Sequence, residues 1–474
     1  MRSEAAVIVQ KVWSYANVLK DDGLAFIEYT EQITYLLFLK MSHERSEEDP
    51  AQAIPSQIGW NSLLKRSGTD LAAHYTKVLV KLSEMPGLLG TIFAKPQSKI
   101  NDPAKLALLI RLINEENWSS LDVDVKGEIY EGLIARNAED VRGGAGQYFT
   151  PRPVIRAIVK AMNLSPKDRV SDPACGTGGF LLGAYEAMRG RARGKKETRF
   201  LHEEAITGWD IVSNVVRLCA MNLYLHGLGG ENGLVITGDS LAKPPSPVDV
   251  VLTNPPFGQK SSITVIGKGG RQQKDRITYD RPDFWATTSN KQLNFLQHVY
   301  TMLTNGGRAA VVVPDNVMFA SGAGETIRRQ LLNNCNVHTI LRLPTGIWYS
   351  PSVQANVLFF DKTAPGADVW VYDLRTNMNF SLRERPIADS DLEEFVVNYE
   401  TSDRRLRKES ERFRRFSREA LLARPKVNLN LAWLRDNSLP SASDLADPDE
   451  IAASISEDLR LALAEFEQSR SKPL

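Results

Sequence analysis

The sequence has few cysteines, no long apolar run and almost no net charge, and each absence excludes a class of protein. Its three cysteines, Cys175, Cys219 and Cys335, are too few and too scattered for a disulfide framework or a zinc cluster. The most apolar short segments, such as residues 35–39, are far below the length that spans a membrane. No basic and apolar leader opens the chain, so we expect a cytoplasmic protein without a bound metal or membrane contact.

The charge balance also limits the kind of partner. The 58 basic and 57 acidic residues leave a net charge near +1, whereas a nucleic-acid binder acting alone is often clearly basic. Any DNA contact is therefore expected to be a local patch or to be shared with another subunit. At 474 residues, the chain is long enough for two or three domains, each with its own core.

Apolar residues up to about position 138 recur at the spacing of helices, with Ile33, Leu36 and Leu37 on one face. No catalytic constellation lies there, so the pattern predicts a helical core or a docking surface. A glycine-rich junction at 143–146 follows. Strand-like and helix-like segments then alternate to about Lys362, which is typical of a doubly wound α/β sheet.

Seven strands are predicted in the alternating region. They cover residues 169–172, 205–210, 234–237, 249–253, 308–314, 337–343 and 355–360. A loop rather than a helix separates the last two, which predicts an antiparallel hairpin at the sheet edge. We therefore expect a helical domain over residues 1–140, a Rossmann-like domain over 146–365 and a C-terminal region with a helical tail over 366–474.

A glycine turn follows the first predicted strand, with the sequence DPACGTGGF at residues 172–180. Gly176, Gly178 and Gly179 carry no Cβ, which lets backbone amides approach a bound ligand. The spacing departs from the G-x-G-x-x-G pattern of dinucleotide sites. The turn therefore predicts a binding site for a ligand of another kind at the start of the next helix.

Three acids lie at successive strand ends, namely Asp172, Asp210 and Asp239. A carboxylate can accept two hydrogen bonds from a vicinal diol, so Asp210 is placed to bind ribose hydroxyls. Asp239 is placed to accept a hydrogen bond from an adenine amino group. Each acid alone is more typical of a helix cap or a loop. Together with the glycine turn they predict a nucleoside site.

The stretch Asn254, Pro255, Pro256 and Phe257 predicts methyl transfer to an amino group. An exocyclic amine on a nucleobase is a poor nucleophile because its lone pair is delocalised into the ring. A catalyst gains by accepting hydrogen bonds from both amine protons, as the Asn254 side-chain oxygen and the Pro255 carbonyl can do. The two prolines stiffen the turn, and Phe257 offers a ring on which a base can stack.

The cysteines and the Asn-Pro-Pro segment bear differently on other methylation chemistries. Cytosine C5 methylation needs a cysteine nucleophile, usually placed after a proline, and none of the three cysteines follows a proline. Cys175 is better explained as a small packing residue of the glycine turn. Cytosine N4, guanine N2 and glutamine-amide methylation all involve a similar nitrogen, so the Asn-Pro-Pro chemistry alone leaves them open.

These motifs resemble those of amino-methyltransferases that use S-adenosylmethionine, over roughly residues 146–362. The segment GQYFTPRPV at 146–154 precedes the glycine turn, where adenine methyltransferases of one motif order keep a cofactor segment. With its helical N-terminal region, glycine junction and helical tail, the chain most closely resembles the modification subunit of type I restriction-modification systems. The resemblance favours adenine and implies N6 methylation of a base flipped out of duplex DNA.

The resemblance also implies the residues that bind the cofactor and perform catalysis. The cofactor residues are Gln147, Tyr148, Phe149, Thr150, Pro151, Arg152, Thr177, Gly178, Gly179 and Asp210, beside Asp172, Gly176 and Asp239. Catalysis is implied at residues 254–257. The family often has glutamate where this chain has Asp210. The aspartate side chain is shorter by one methylene, so its reach to the ribose is shorter. Trp348 and Tyr349 are the candidates for a second aromatic against the flipped base.

Partners follow from the resemblance as well. Type I modification subunits leave target reading to a separate specificity subunit, so the expected partners are double-stranded DNA, that subunit and a restriction subunit with nuclease or translocase activity. Two copies of this chain are expected per specificity subunit, and an amphipathic helix predicted at 449–469 is the candidate docking element. A self-sufficient orphan DNA amino-methyltransferase and a catalytically silent DNA-binding scaffold are the alternatives.

Two basic segments have open roles. Residues 258–291 are polar and glycine-rich, which fits either a loop that contacts DNA phosphates or a solvated insertion. The basic residues in this segment are Lys260, Lys268, Arg271, Lys274, Arg276 and Arg281. Residues 404–418 mix arginines with glutamates, which favours a solvated helical face over a DNA contact.

Overall fold

The computed structural model describes residues 10–12, 14–15, 18, 26–48, 54–118, 149–229, 233–257, 262–266, 272–276, 278–348, 350, 353–382, 384–400 and 403–436. The predicted junction at 143–146 and the predicted helix at 449–469 lie outside these residues. By its internal contacts the chain divides into two units, Met1–Ala432 and Trp433–Leu474. Every helix and strand that is described lies in the first unit.

Beside the helical residues 10–12, 14–15 and 18, the described part of the N-terminal region contains five helices. They are α1 (Phe26–Glu48), α2 (Trp60–Leu64), α3 (Gly68–Ser83), α4 (Gly87–Ile92) and α5 (Pro103–Asn114). Leu36, Leu79 and Ile110 from three of these helices are buried in a common core. The Asp102 side chain caps α5 by accepting a hydrogen bond from the Ala104 amide. The predicted helical N-terminal region is confirmed.

Strands and helices alternate after residue 150. The strands are β1 (Val170–Asp172), β2 (Ile206–Asp210), β3 (Val235–Thr237), β4 (Val248–Thr253), β5 (Ser262–Ile266), β6 (Gln272–Arg276), β7 (Leu303–Pro314), β8 (Asn336–Arg342), β9 (Ala355–Asp361), β10 (Asp368–Asp373) and β11 (Phe413–Ser417). The helices are α6 (Arg152–Met162), α7 (Gly179–Arg189), α8 (Gly194–Glu203), α9 (Ser213–Leu225), α10 (Lys291–Met302), α11 (Asp315–Phe319), α12 (Ala323–Asn334), α13 (Asp389–Tyr399) and α14 (Arg418–Ala423). None of the helices within the described ranges is long and apolar enough to cross a membrane.

Nine of the described strands form one sheet in the order β11-β10-β8-β9-β7-β4-β1-β2-β3. β1 pairs in parallel with β2 and with β4, β2 pairs in parallel with β3, and β4 with β7. In the sheet, β2 and β3 lie on one side of β1, and β4 lies on the other side. Because strand order reverses between β1 and β4, a crevice for a ligand is expected outside the carboxyl ends of these two strands.

The seven strands predicted from the sequence are all present, and most of their bounds agree to within one residue. β7 is the exception, since it begins at Leu303, five residues earlier than predicted. β8 and β9 pair antiparallel, as predicted, but they do not lie at the sheet edge. β10 and β11 extend the sheet beyond β8, so the sheet continues past residue 365, where the sequence placed a domain boundary.

Residues 404–418 do not form the solvated helix that their mixed charges predict. A 3₁₀ turn at Arg404–Leu406 leads to β11, an edge strand. Arg404 pairs with Asp361 at 2.7 Å, and the buried Arg407 donates to the Tyr399 carbonyl at 2.8 Å. The helical prediction is wrong because a local charge pattern does not show which carboxylates and carbonyls a distant segment will offer.

His338 at the start of β8 makes the stability of this region sensitive to pH. Its Nε2 lies 3.4 Å from Asp361 Oδ1, yet burial lowers the pKa of His338 to about 4. The fold therefore favours the neutral imidazole, whereas the unfolded chain binds a proton below about pH 6.5. The neutral His338 side chain therefore makes its full contribution to the free energy of unfolding above about pH 6.5. That contribution is lost as the pH falls from about 6.5 toward 4.

We expect His338→Gln to remove the part of the pH dependence of the free energy of unfolding that comes from this imidazole. Between pH 7 and pH 5 the free energy of unfolding of the unaltered protein should fall by about 2 kcal/mol more than that of the variant. Urea titrations of both proteins at the two pH values measure the difference. Equal losses in the two proteins would show that protonation of His338 is not linked to unfolding.

The predicted polar stretch 258–291 contains a hairpin. β5 and β6 pair antiparallel and form a separate two-stranded sheet between β4 and α10. The chain then returns at residue 278 to the main body, where residues 278–290 lead into α10. The hairpin therefore interrupts the path from the carboxyl end of β4 to the next helix of the α/β fold.

Candidate active site

A cavity opens at the carboxyl ends of β1 to β4. It contains about 1260 Å³ of empty space, including its opening to solvent. The sequence-predicted residues that line it are Phe149, Thr150, Asp172, Gly176, Thr177, Gly179, Asp210, Asp239, Asn254, Pro255, Pro256 and Phe257. The structure therefore brings the glycine turn, the three strand-end acids and the Asn-Pro-Pro-Phe segment to one place.

The backbone of the glycine turn depends on the absence of side chains. Gly176 and Gly178 have φ values of +54° and +87°, in the left-handed region that favours glycine. A Cβ at Gly178 would lie 2.7 Å from the Cys219 sulfur, whereas one at Gly176 would meet nothing within 4 Å. Asn222 of α9 donates from Nδ2 to the Thr177 carbonyl at 2.9 Å. The turn is thus held by α9 and has open space beside Gly176.

Asp172 links two segments of the cavity wall through hydrogen bonds. Its Oδ1 accepts hydrogen bonds from the Thr253 hydroxyl at 2.6 Å and from the Ala174 amide at 3.0 Å. Burial raises the pKa of Asp172 to about 7, although both hydrogen bonds lower it. The bond to Thr253 joins the ends of β1 and β4. The glycine turn and Asn254 are therefore fixed relative to each other.

Asp210 ends β2 on another side of the cavity. Its Oδ1 accepts from the Val212 amide at 2.9 Å, and its Oδ2 accepts from the Gly176 amide at 3.3 Å. Burial raises the pKa of Asp210, while these backbone hydrogen bonds lower it. A carboxylate has about four lone-pair sites, so the two hydrogen bonds leave acceptor capacity for the hydroxyls of a ligand.

Asp239 caps the 3₁₀ turn at Ser240–Ala242. Its Oδ1 accepts from the Leu241 amide at 3.0 Å, and its Oδ2 accepts from the Tyr279 hydroxyl at 2.7 Å. Burial and the Asp239 carboxylate raise the pKa of Tyr279, so its hydroxyl stays protonated and donates. Both residues line the cavity.

Asn254 directly follows the last residue of β4. Its Nδ2 donates to the Thr150 hydroxyl at 2.9 Å, which sets the orientation of the amide and of its oxygen. Thr150 comes from the segment ahead of α6, so the predicted cofactor segment reaches the predicted catalytic residue. Pro255 and Pro256 follow in a rigid turn that leads to the half-buried Phe257.

Trp348 stands behind Phe257 and not across the cavity from it. The two ring centroids are 5.7 Å apart with an angle of 67° between the rings, and Trp348 is only 1% exposed. Such an edge-to-face contact positions Phe257. The expectation that Trp348 stacks against a base is wrong, because its ring is buried in the core; Tyr349 lies outside the described residues.

Pro151 and Arg152 lie at the start of α6 and line a second depression, beside Arg156 and Ile347. Arg152 nevertheless approaches the glycine turn, since its Nη1 is 3.6 Å from where a Cβ on Gly179 would lie. These two residues therefore differ in position from Phe149 and Thr150, which line the main cavity. Gln147 and Tyr148 lie outside the described residues.

Arg281, a candidate for phosphate contact, is turned inward. It is 7% exposed, donates to the Leu241 carbonyl at 3.2 Å and pairs with Asp283. Its Nη1 lies 2.8 Å from His298 Nδ1, and burial lowers the pKa of His298 to about 3, which keeps that imidazole neutral. The phosphate assignment is wrong for Arg281, because its guanidinium already binds within the protein.

Several cavity residues were not singled out from the sequence. Ile211 and Val212 follow Asp210 and are 66% and 39% exposed. Two apolar β-branched residues directly after a strand-end acid are visible in the sequence and could have indicated an apolar part of the binding site. Tyr279 and Phe295 also line the cavity, but they come from beyond the hairpin and carry no local signal. Within the described ranges, no group of three or more His, Cys, Asp or Glu residues could hold a metal ion.

Two family models match the chain. The model described as N-6 DNA methylase matches residues 121–432, and the model described as the HsdM N-terminal domain matches residues 8–115. The methylase subunit of the type I restriction enzyme StySJI from Salmonella typhimurium is 35% identical, over 97% of this chain and 94% of its own length. The EcoKI methylase subunit from Escherichia coli is 34% identical over the same shares.

Solved structures agree with these sequence matches. A crystal structure described as the modification subunit of a type I restriction enzyme from Vibrio vulnificus YJ016 has a TM-score of 0.75 and 26% identity, covering 91% of this chain and 97% of that one. The crystal structure of the EcoKI M protein has a TM-score of 0.54 and 31% identity, covering 98% of this chain and 96% of that one. Both similarities extend over nearly the whole chain.

Proposed function

Because the chain belongs to the N-6 DNA methylase family, we propose that the cavity at the carboxyl ends of β1 to β4 is the active site of a type I methylase subunit. The protein transfers a methyl group to the N6 nitrogen of adenine in DNA. One observation carries the assignment of the site: the glycine turn and Asn254 share one cavity and are joined by the Asp172–Thr253 hydrogen bond.

We infer that the cavity binds the nucleoside part of S-adenosylmethionine. Open space beside Gly176 permits close approach of a ligand to the backbone. Asp210 would accept hydrogen bonds from the ribose hydroxyls, Asp239 would accept one from the adenine amino group, and the exposed Ile211 and Val212 would lie against the adenine ring. The bound cofactor supplies a methyl group already activated by its sulfonium.

The second part of the cofactor assignment concerns the segment before α6. Phe149 and Thr150 line the cavity, and we include the preceding Gln147 and Tyr148 as cofactor residues because they continue the same segment. Pro151 and Arg152 contribute to cofactor binding indirectly, because they lie at the start of α6, beside Gly179 of the glycine turn. Thr177, Gly178 and Gly179 complete the cofactor residues at the glycine turn.

Catalysis rests on hydrogen bonds that localise the lone pair of the target amine. The Asn254 Oδ1 and the Pro255 carbonyl accept hydrogen bonds from the two N–H groups of the target amine, which draws the nitrogen toward a tetrahedral geometry. Thr150 keeps the Asn254 amide oriented by accepting from Nδ2. No side-chain base is required: the neutral amine would form its bond to the methyl carbon as the carbon–sulfur bond breaks and a neutral thioether leaves, and the methylated nitrogen would then lose its surplus proton to water. Positioning in line with the transferred methyl supplies the remaining rate enhancement.

An adenine within duplex DNA reaches this cavity only after rotation out of the stack. Phe257 supplies a ring for the flipped base, and Trp348 supports that ring from behind. We propose duplex DNA, a specificity subunit and a restriction subunit as partners, with two copies of this chain per specificity subunit. We propose that residues 1–140 form the N-terminal helical domain and that the methyltransferase domain, predicted over 146–365, continues through β10 and β11, which complete its sheet.

Dependence on a specificity subunit separates this function from that of an orphan methyltransferase. The purified chain is incubated with methyl-labelled S-adenosylmethionine and mixed-sequence duplex DNA, with and without its candidate specificity subunit. We expect the label in DNA only when both proteins are present. Label in DNA with the chain alone would favour an orphan enzyme, and cofactor binding without transfer in either reaction would favour a silent scaffold.

A further inference from the structure

Tyr279 is an unassigned side chain in the wall of the cavity. It is half-buried, it lies beyond the β5–β6 hairpin in sequence, and its hydroxyl donates to Asp239 Oδ2 at 2.7 Å. Asp239 is at the same time held on its other oxygen by the Leu241 amide at 3.0 Å. Two donors from different parts of the chain therefore determine how this carboxylate faces the cavity.

The segment that carries Tyr279 is itself firmly anchored. Arg281, two residues later, donates to the Leu241 carbonyl at 3.2 Å, and its guanidinium stacks on Phe284 with 4.1 Å from its central carbon to the ring centroid. It also pairs with Asp283 and lies 2.8 Å from the neutral His298 of α10. The segment 279–281 therefore contacts the Asp239 turn at two points. Tyr279 donates to the Asp239 carboxylate, and Arg281 donates to the Leu241 carbonyl.

We propose that Tyr279 is a positioning residue for the cofactor: it holds the Asp239 carboxylate so that an oxygen lone pair faces the adenine amino group. This inference rests on the proposed function, in which Asp239 receives that amino group. A carboxylate offers about four lone-pair sites, and the hydrogen bonds from Leu241 and Tyr279 occupy two of them. Without the hydroxyl, the carboxylate keeps one donor and can rotate about its χ2 torsion, which is broad for aspartate.

Tyr279→Phe removes the hydroxyl and keeps the ring. By titration calorimetry with S-adenosylhomocysteine, we expect the dissociation constant to rise about tenfold, the effect of one hydrogen bond to a charged group. Methyl-transfer kinetics in the complete complex should show a similar rise in KM for S-adenosylmethionine. The kcat at saturating cofactor should stay within about twofold, because the interaction stabilises the bound ground state and the transition state equally.

A double-mutant cycle tests whether Tyr279 acts through Asp239. In an Asp239→Ala background, Tyr279→Phe should change the dissociation constant of S-adenosylhomocysteine by less than about twofold, since the hydroxyl then has no carboxylate to orient. Tyr300→Phe is the matched control, because Tyr300 packs on Trp285 outside the cavity. That control should bind as the unaltered chain does. Melting temperatures of all variants establish that binding is measured on folded protein.

Two results would overturn the inference. Either Tyr279→Phe binds S-adenosylhomocysteine as tightly as the unaltered chain, or it weakens binding equally with and without Asp239. In both cases the unaltered chain still binds the ligand, and only the role of Tyr279 fails. If the unaltered chain itself fails to bind S-adenosylhomocysteine, the proposed cofactor site fails instead.

Discussion

Asn254→Ala is expected to lower the kcat of methyl transfer by about 10²- to 10³-fold, the effect of removing one preorganised hydrogen-bonding group from an active site. The variant loses the Oδ1 acceptor that localises the lone pair of the target amine. Binding of S-adenosylhomocysteine should change by less than about threefold, since Asn254 acts on the transition state at the target base. Labelled methyl transfer under saturating cofactor and DNA, together with calorimetry, measures both quantities.

Thr150→Val provides a graded comparison for this variant. It retains Asn254 and removes only the hydroxyl that accepts from Asn254 Nδ2 at 2.9 Å. We expect an intermediate loss of kcat of about tenfold, because the amide oxygen remains present but is less well oriented. Unchanged kcat in Asn254→Ala would remove Asn254 from the catalytic mechanism, whatever the result for Thr150→Val.

Gly178→Ala is expected to weaken the binding of S-adenosylhomocysteine by at least about tenfold, because the glycine turn has to move to accommodate a methyl group. Gly178 has a φ of +87°, and an added Cβ would lie 2.7 Å from the Cys219 sulfur. The left-handed backbone costs an alanine about 1–2 kcal/mol, and the steric conflict adds about 1–3 kcal/mol. Calorimetry measures the affinity, and thermal melts measure the loss of stability.

Two further variants separate the steric conflict from the backbone cost. Cys219→Ala combined with Gly178→Ala removes the sulfur that the new methyl group meets, and it should restore part of the affinity. Gly194→Ala has a similarly positive φ of +74° with nothing within 4 Å of the added Cβ, and it should leave cofactor binding unchanged. Affinity in Gly178→Ala equal to that of the unaltered chain would contradict the proposed role of the turn.

The elements best predicted from the sequence are those encoded by local patterns. β1, β2 and β4 are short strands that each begin with a β-branched residue; β1 and β2 end at an acid, and Asn254, a turn-forming residue type, directly follows β4. The acids at the strand ends converge because parallel strands place their carboxyl ends along one edge of the sheet. Fold class and cavity location could therefore be derived before any tertiary contact was known.

The parts that local patterns did not predict depend on distant partners. Arg281 and Arg407 were grouped with DNA-facing or solvated charges, whereas Asp283 and the Tyr399 carbonyl bind them in the interior. Trp348 was a candidate for base stacking but is buried behind Phe257. A sequence shows that a side chain is charged or aromatic, but the tertiary fold determines which group it meets.

The most direct test of the central claim is the chemical identity of the methylated nucleoside. The complete complex is incubated with methyl-labelled S-adenosylmethionine and duplex DNA, the DNA is digested, and the nucleosides are separated and identified by mass spectrometry. We expect the label in N6-methyldeoxyadenosine, and none above background when the chain carries Asn254→Ala. Label in N4-methyldeoxycytidine, or undiminished label with Asn254→Ala, would contradict adenine N6 methylation by the Asn254–Phe257 site.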